Sequence, residues 1–94
     1  MGTNGPDYLI PAQVYHRDVD GQMVLLNLDT EQYYGLDAVG SNIITRLTEV
    51  PWDEAIQALL ADYEVDPAVL NDDIDALVAA LLDAGLLERA GSVT

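Results

Sequence analysis

DGQMVLLNLDTEQYYGLDAVGSNIITRL, running from Asp20 to Leu47, changes its hydrophobic period midway. Asp20-Gly21 is a two-residue hairpin signal, because both central positions of the tightest hairpin turn need positive φ. Met23 to Leu28 is an apolar run of strand length, and Asp29 to Gln32 is a polar loop. Tyr33, Tyr34, Gly35 and Leu36 read as the next strand, since aromatic residues suit a pleated surface. Asp37 is then placed to cap a helix. Beyond it, Gly40, Ile43, Ile44 and Leu47 recur at three- and four-residue intervals, the spacing of one helical face. Strand period therefore gives way to helix period at Asp37.

Working outward, Val14 to Val19 alternates roughly and supplies a strand ahead of the turn. With Met23–Leu28 and Tyr33–Leu36 it makes a three-stranded antiparallel meander. Downstream, Glu49 to Pro51 breaks the first helix. Trp52, Ile56, Leu59, Leu60 and Tyr63 mark one face of a second helix, with Asp53 and Glu54 near its positive end. Asp66-Pro67 is a helix start, a capping carboxylate followed by proline at the first helical position. The third helix runs to about Ala84, and Gly85 stops it. Leu86 to Arg89 reads as a short extended piece. Three strands followed by three helices predict an α+β fold with the helices on one face of the sheet. The expected organisation is an N-terminal arm over 1–13, a domain over 14–89 and a tail over 90–94.

The chain has 94 residues, half of them apolar, which suits one small domain with a groove rather than a large cavity. Seventeen acidic residues face only Arg17, Arg46 and Arg89, for a formal net charge of −14. Phosphate backbones are bound by Lys and Arg displacing counterions, so nucleic acid and anionic lipid surfaces are disfavoured partners. The acid serves either solubility or the steering of a basic partner. No basic region with an apolar stretch opens the chain, and no apolar run approaches membrane-spanning length, so a cytoplasmic location is expected.

Chemistry has little to work with. There is no cysteine, which removes disulfides, thiolate metal sites and thiol nucleophiles together. His16 is the single histidine and has no second ligand of its kind. Ser41 lies in no nucleophile motif and reads as a helix-entry packing residue. Asp72, Asp73 and Asp75 cluster on a helix without the glycine-bearing calcium loop. No glycine-rich nucleotide motif occurs. No catalytic residue, metal ligand or cofactor is assigned, and the chain is expected not to be an enzyme.

Two features point instead to binding. On the third helix Leu70, Ile74, Leu77 and Leu81 form a narrow stripe that reads as the core face. Asn71, Asp75, Val78, Ala79 and Leu82 form a second, mixed edge, either a wide core contact or a groove wall. Tyr33 to Leu36 is the last strand of the meander and so a sheet edge, and no charge or proline guards it. Either another part of the chain covers that edge, or a guest peptide adds a strand there.

The ordered combination of Val24–Leu28, Asp29, Tyr33–Leu36 and Ala38–Gly40, with Ile56–Tyr63, Asp66-Pro67 and Gly85-Leu86-Leu87 downstream, resembles the PqqD-like family of peptide-modification chaperones. The resemblance spans Val14 to Leu87. It implies a winged helix-turn-helix-like domain that binds the leader of a ribosomally synthesised precursor peptide. It also implies that the leader lies as an extra strand along Tyr33, Tyr34, Gly35 and Leu36, against Asn71, Asp75, Val78, Ala79 and Leu82 of the third helix. Members of this length resemble the stand-alone leader-binding proteins of lasso-peptide pathways, which work with a separate leader peptidase, and PqqD itself, which serves a modifying enzyme. No fused enzyme is expected, and a leader with basic residues would suit the acidic chain. Two alternatives stay open: a structural subunit that forms a homodimer through the same edge, and a winged-helix regulator. Against the regulator, Pro67 to Ala84 holds no Lys or Arg.

Overall fold

The computed structural model describes residues 5–90. Its elements are β1 (Tyr8–Leu9), β2 (Val14–Val19), β3 (Gln22–Asn27), β4 (Tyr33–Gly35), α1 (Ala38–Leu47), α2 (Trp52–Asp62), α3 (Pro67–Asp83) and β5 (Glu88–Arg89). Strands β2, β3 and β4 form an antiparallel sheet in that order, and β1 pairs with β5 in a separate two-stranded ribbon. The predicted α+β class and the meander are both present, with β4 as the predicted third strand. Among the described residues no helix is long and apolar enough to cross a membrane.

The β2–β3 hairpin closes through Asp20 and Gly21, whose φ values of 55° and 81° are the paired positive angles of a tight hairpin turn. That turn sets the register Val19↔Gln22, which sends Met23 and Leu25 inward. They meet Ile43, Ile44 and Leu47 of α1, Leu59 of α2, and Leu70, Ile74 and Leu81 of α3 in one buried core. Two helix starts work as their sequences imply. Asp37 accepts from the Gly40 N–H at 2.8 Å, and Asp66 from the Ala68 N–H at 2.8 Å. At the end of α3, Gly85 takes φ +72°, and a Cβ there would stand 2.8 Å from Asn27 Nδ2. That Asn27 nitrogen donates to the Gly85 carbonyl at 3.0 Å, while its oxygen accepts from Asp29 N–H at 2.9 Å. One buried amide thus fixes both the β3–β4 loop and the exit of α3.

Two expectations change. Residues 1–13 were to be an arm, but the chain is tied down from Asp7 onward. Tyr8 is buried, its ring centroid is 6.2 Å from that of Trp52, and Tyr8 pairs with Arg89 across the ribbon. Helix α2 lacks a cap from its own N-cap residue Pro51; instead Asp7 Oδ2 accepts from the Trp52 N–H at 2.8 Å. Residues 1–4 of the expected arm and 91–94 of the expected tail lie outside the described residues.

The second correction concerns the facing of α3. Val78, placed on the outer edge by its spacing, is 4% exposed, whereas Leu77, placed in the core stripe, is only partly buried. The buried arc is centred on Ile74. At 100° per residue Val78 lies about 40° to one side of Ile74 and Leu77 about 60° to the other. The stripe of Leu70, Ile74, Leu77 and Leu81 is therefore rotated away from the valine.

Candidate functional site

Strand β4 is an edge of its sheet, and the hydrogen-bond alternation says which of its groups are free. Leu36 donates to the Met23 carbonyl at 2.8 Å, and Asn27 to the Gln32 carbonyl at 2.8 Å. These are hydrogen-bonded pairs, so Leu25↔Tyr34 between them is one as well. The intervening residues Tyr33 and Gly35 belong to non-bonded pairs and turn their N–H and C=O groups away from β3. Ser41 completes the arrangement at the far end. Its hydroxyl accepts from the Met23 N–H at 2.6 Å and donates to the Leu36 carbonyl at 3.4 Å. A side chain of α1 thereby stands in for the last ladder bond and holds Leu36 and the start of α1 against the sheet.

Beside that edge lies an open cleft of about 320 Å³, walled by Tyr34, Gly35 and Leu36 of the strand end, by Asp37, Val39, Gly40 and Ile43 around the start of α1, and by Leu77 of α3. The outer edge of β4 is one the sheet does not use, and the cleft is lined by apolar side chains together with polar backbone and the Asp37 carboxylate. No Lys or Arg lines it. Among the described residues no group of three or more His, Cys, Asp or Glu is placed to hold a metal ion.

The strand residues named from the sequence divide across the sheet. Tyr34 and Leu36 face the cleft, with Leu36 buried, while Tyr33 is 74% exposed and points to the opposite face beside Leu26. The five helix residues are not brought to this cleft. Val78 is in the core and Leu82 packs against the core on the far flank. Asp75 and Ala79 are exposed, and Asn71 donates to the Pro67 carbonyl at 2.9 Å within its own helix. The α3 residue that lines the cleft is Leu77. Its signal was present in the spacing, but the same spacing allotted it to the core.

A family model described as coenzyme PQQ synthesis protein D (PqqD) matches residues 22–87, from the start of β3 to the end of the core. The chain belongs to the PqqD family. Two solved structures are similar along nearly their whole length. One is TbiB1 in complex with the TbiA(beta) leader peptide, 34% identical, covering 92% of this chain and 99% of that one, with a TM-score of 0.78. The other is a lasso peptide synthetase B1 complexed with the leader peptide, 26% identical, covering 87% of this chain and 98% of that one, with a TM-score of 0.74. No curated protein matches the chain. The winged-helix-like recognition fold of this PqqD-family chain is thus shared with two proteins whose structures hold a leader peptide.

Proposed function

We propose that this chain binds the leader of a ribosomally made precursor peptide as a strand added to β4, with the leader's inward side chains entering the cleft toward Leu77. One observation carries the reading. The outward backbone groups of Tyr33 and Gly35 stand beside an open cleft into which Tyr34, Leu36, Val39, Ile43 and Leu77 bring apolar side chains, in a fold that matches two leader-peptide complexes. Main-chain bonds to Tyr33 and Gly35 supply affinity that tolerates sequence change, and the cleft reads side chains. The α3 contribution comes from the Leu77 flank rather than from Asn71, Asp75, Ala79 and Leu82. Tyr34 and Leu36 act as cleft walls, Gly35 as the point of close backbone approach.

In this reading the chain performs no chemistry and presents the bound precursor to a separate leader peptidase or modifying enzyme, of the lasso-peptide type, in the cytoplasm. The acidic surface favours a leader with basic residues, chiefly by speeding association. The test is a calorimetric titration with the leader of the chain's cognate precursor peptide, followed by amide shift mapping. Saturable binding that perturbs Tyr33–Leu36 and Leu77 supports the proposal. Binding that leaves those residues unmoved, or no binding, overturns it. Sedimentation with and without the leader separates it from a homodimer paired through β4, which the leader would dissociate.

A further inference from the structure

A second pocket opens beyond the cleft. It holds about 200 Å³ between α1, the end of α2 and the start of α3, and shares the walls Val39 and Ile43 with the cleft. Val65, Val69 and Leu70 continue its lining, and Tyr63 closes one side. The Tyr63 hydroxyl accepts from Asn42 Nδ2 at 3.1 Å, which anchors the ring as a wall. Val69 is 54% exposed, and Val39 and Val65 are exposed as well, so apolar surface is left open to water here. The volume is below the range of whole small-molecule sites, about 300 Å³ and upward, and suits a single side chain. The one charged group in the lining is Asp73, at the rim.

We propose that this pocket is a specificity subsite that takes one long basic side chain of the bound peptide, its aliphatic stem on Val65 and Val69 and its cation at the Asp73 carboxylate. The proposal rests on leader binding at β4, because continuity through Val39 and Ile43 is what delivers a peptide to the pocket. Two observations select the occupant. The wall is apolar along its depth, which an arginine or lysine stem covers while its head stays in water. The only charge is negative, in a chain of formal net charge −14, so an acidic side chain is excluded and a neutral one leaves Asp73 unused. Asp73 is thus a specificity residue for this chain's own peptide.

The experiment follows the methyl resonances of Ile43, Val65 and Val69 of the full chain during titration with N-acetyl-argininamide, N-acetyl-norleucinamide and N-acetyl-tyrosinamide. The arginine derivative is expected to shift these methyls and to bind most tightly of the three. Asp73→Asn is expected to weaken it about threefold, the size of a partly exposed ion pair. The same change should leave norleucinamide binding alone, and Asp75→Asn, on the opposite flank of α3, should change neither. Norleucinamide or tyrosinamide binding as tightly as argininamide, equal effects of Asp73→Asn on all three, or unmoved methyls would each overturn the proposal. Strand addition is read separately, at the amides of Tyr33 and Gly35 with the leader. A pocket that stays empty and a strand edge that stays idle are therefore distinct results.

Discussion

Gly35→Pro separates binding from folding in a way few substitutions could. The Gly35 N–H points away from β3, so proline removes a donor the folded chain does not use. Proline is tolerated in sheets at an edge position of this kind. Tyr34, the preceding residue, is already in a strand, as the residue before proline must be. The loss of glycine's freedom in the unfolded chain offsets part of any strain. The net change in stability should stay within about 1 kcal/mol, or a shift in Tm of no more than about 8 °C for a domain of this size. Binding should respond differently. One main-chain hydrogen bond is lost and the guest carbonyl that it served is left unpaired, at a cost of about 1–3 kcal/mol. That raises Kd by roughly five- to 150-fold. The assays are a thermal melt followed by circular dichroism and a calorimetric titration with the leader. Tyr34→Pro is the control, since its N–H belongs to the Leu25 pair, and it should destabilise the sheet itself. A folded Gly35→Pro protein that binds the leader within threefold of the unaltered chain would refute the strand-addition reasoning. So would a Gly35→Pro protein as unstable as Tyr34→Pro.

Other consequences concern α3 and its exit. Leu77→Ala should weaken leader binding about tenfold in a calorimetric titration, the worth of a partly buried leucine side chain, whereas Leu82→Ala on the far flank should change Kd less than twofold. Val78→Ala should lower stability by about 1–3 kcal/mol in chemical denaturation, as a large-to-small change in a packed core, with Kd per folded molecule unchanged. Gly85→Ala combines a positive φ with a Cβ 2.8 Å from Asn27 Nδ2. It should cost roughly 1–3 kcal/mol in the same denaturation experiment.

Much of this architecture is legible locally. Asp20-Gly21, Asp37 and Asp66-Pro67 each act within a few residues, and each does in the structure what its chemistry implies. The edge at Tyr33–Gly35 is legible as an edge but not as an open one, since the later extended piece could have covered it; in the structure β5 pairs with β1 instead. What could not be read depends on distant partners. The β1–β5 ribbon joins two-residue strands, too short to show a period, and Arg89 meets the Tyr8 hydroxyl across 81 positions. Asp7 as the cap of α2 has no local signature either. Ser41 could be dismissed as a nucleophile, but its bridge between Met23 and Leu36 exists only once sheet and helix are packed. The helix residue that lines the cleft could not be singled out for a narrower reason. Leu77 and Val78 are neighbours about 100° apart on the wheel, and both are apolar. Only the packing of the other elements decides which is core and which lines the cleft. The pocket at Val65, Val69 and Asp73 likewise joins a loop to a helix start, and no periodicity announces it.

Amide hydrogen exchange at β4, with and without the leader, tests strand addition most directly. In the free chain Tyr34 and Leu36 should be protected by their bonds to β3, while the outward amides of Tyr33 and Gly35 exchange quickly. Saturating leader should slow exchange at Tyr33 and Gly35 and leave the β2 amides as they were. A leader that binds yet leaves Tyr33 and Gly35 exchanging at their free rates would contradict the account.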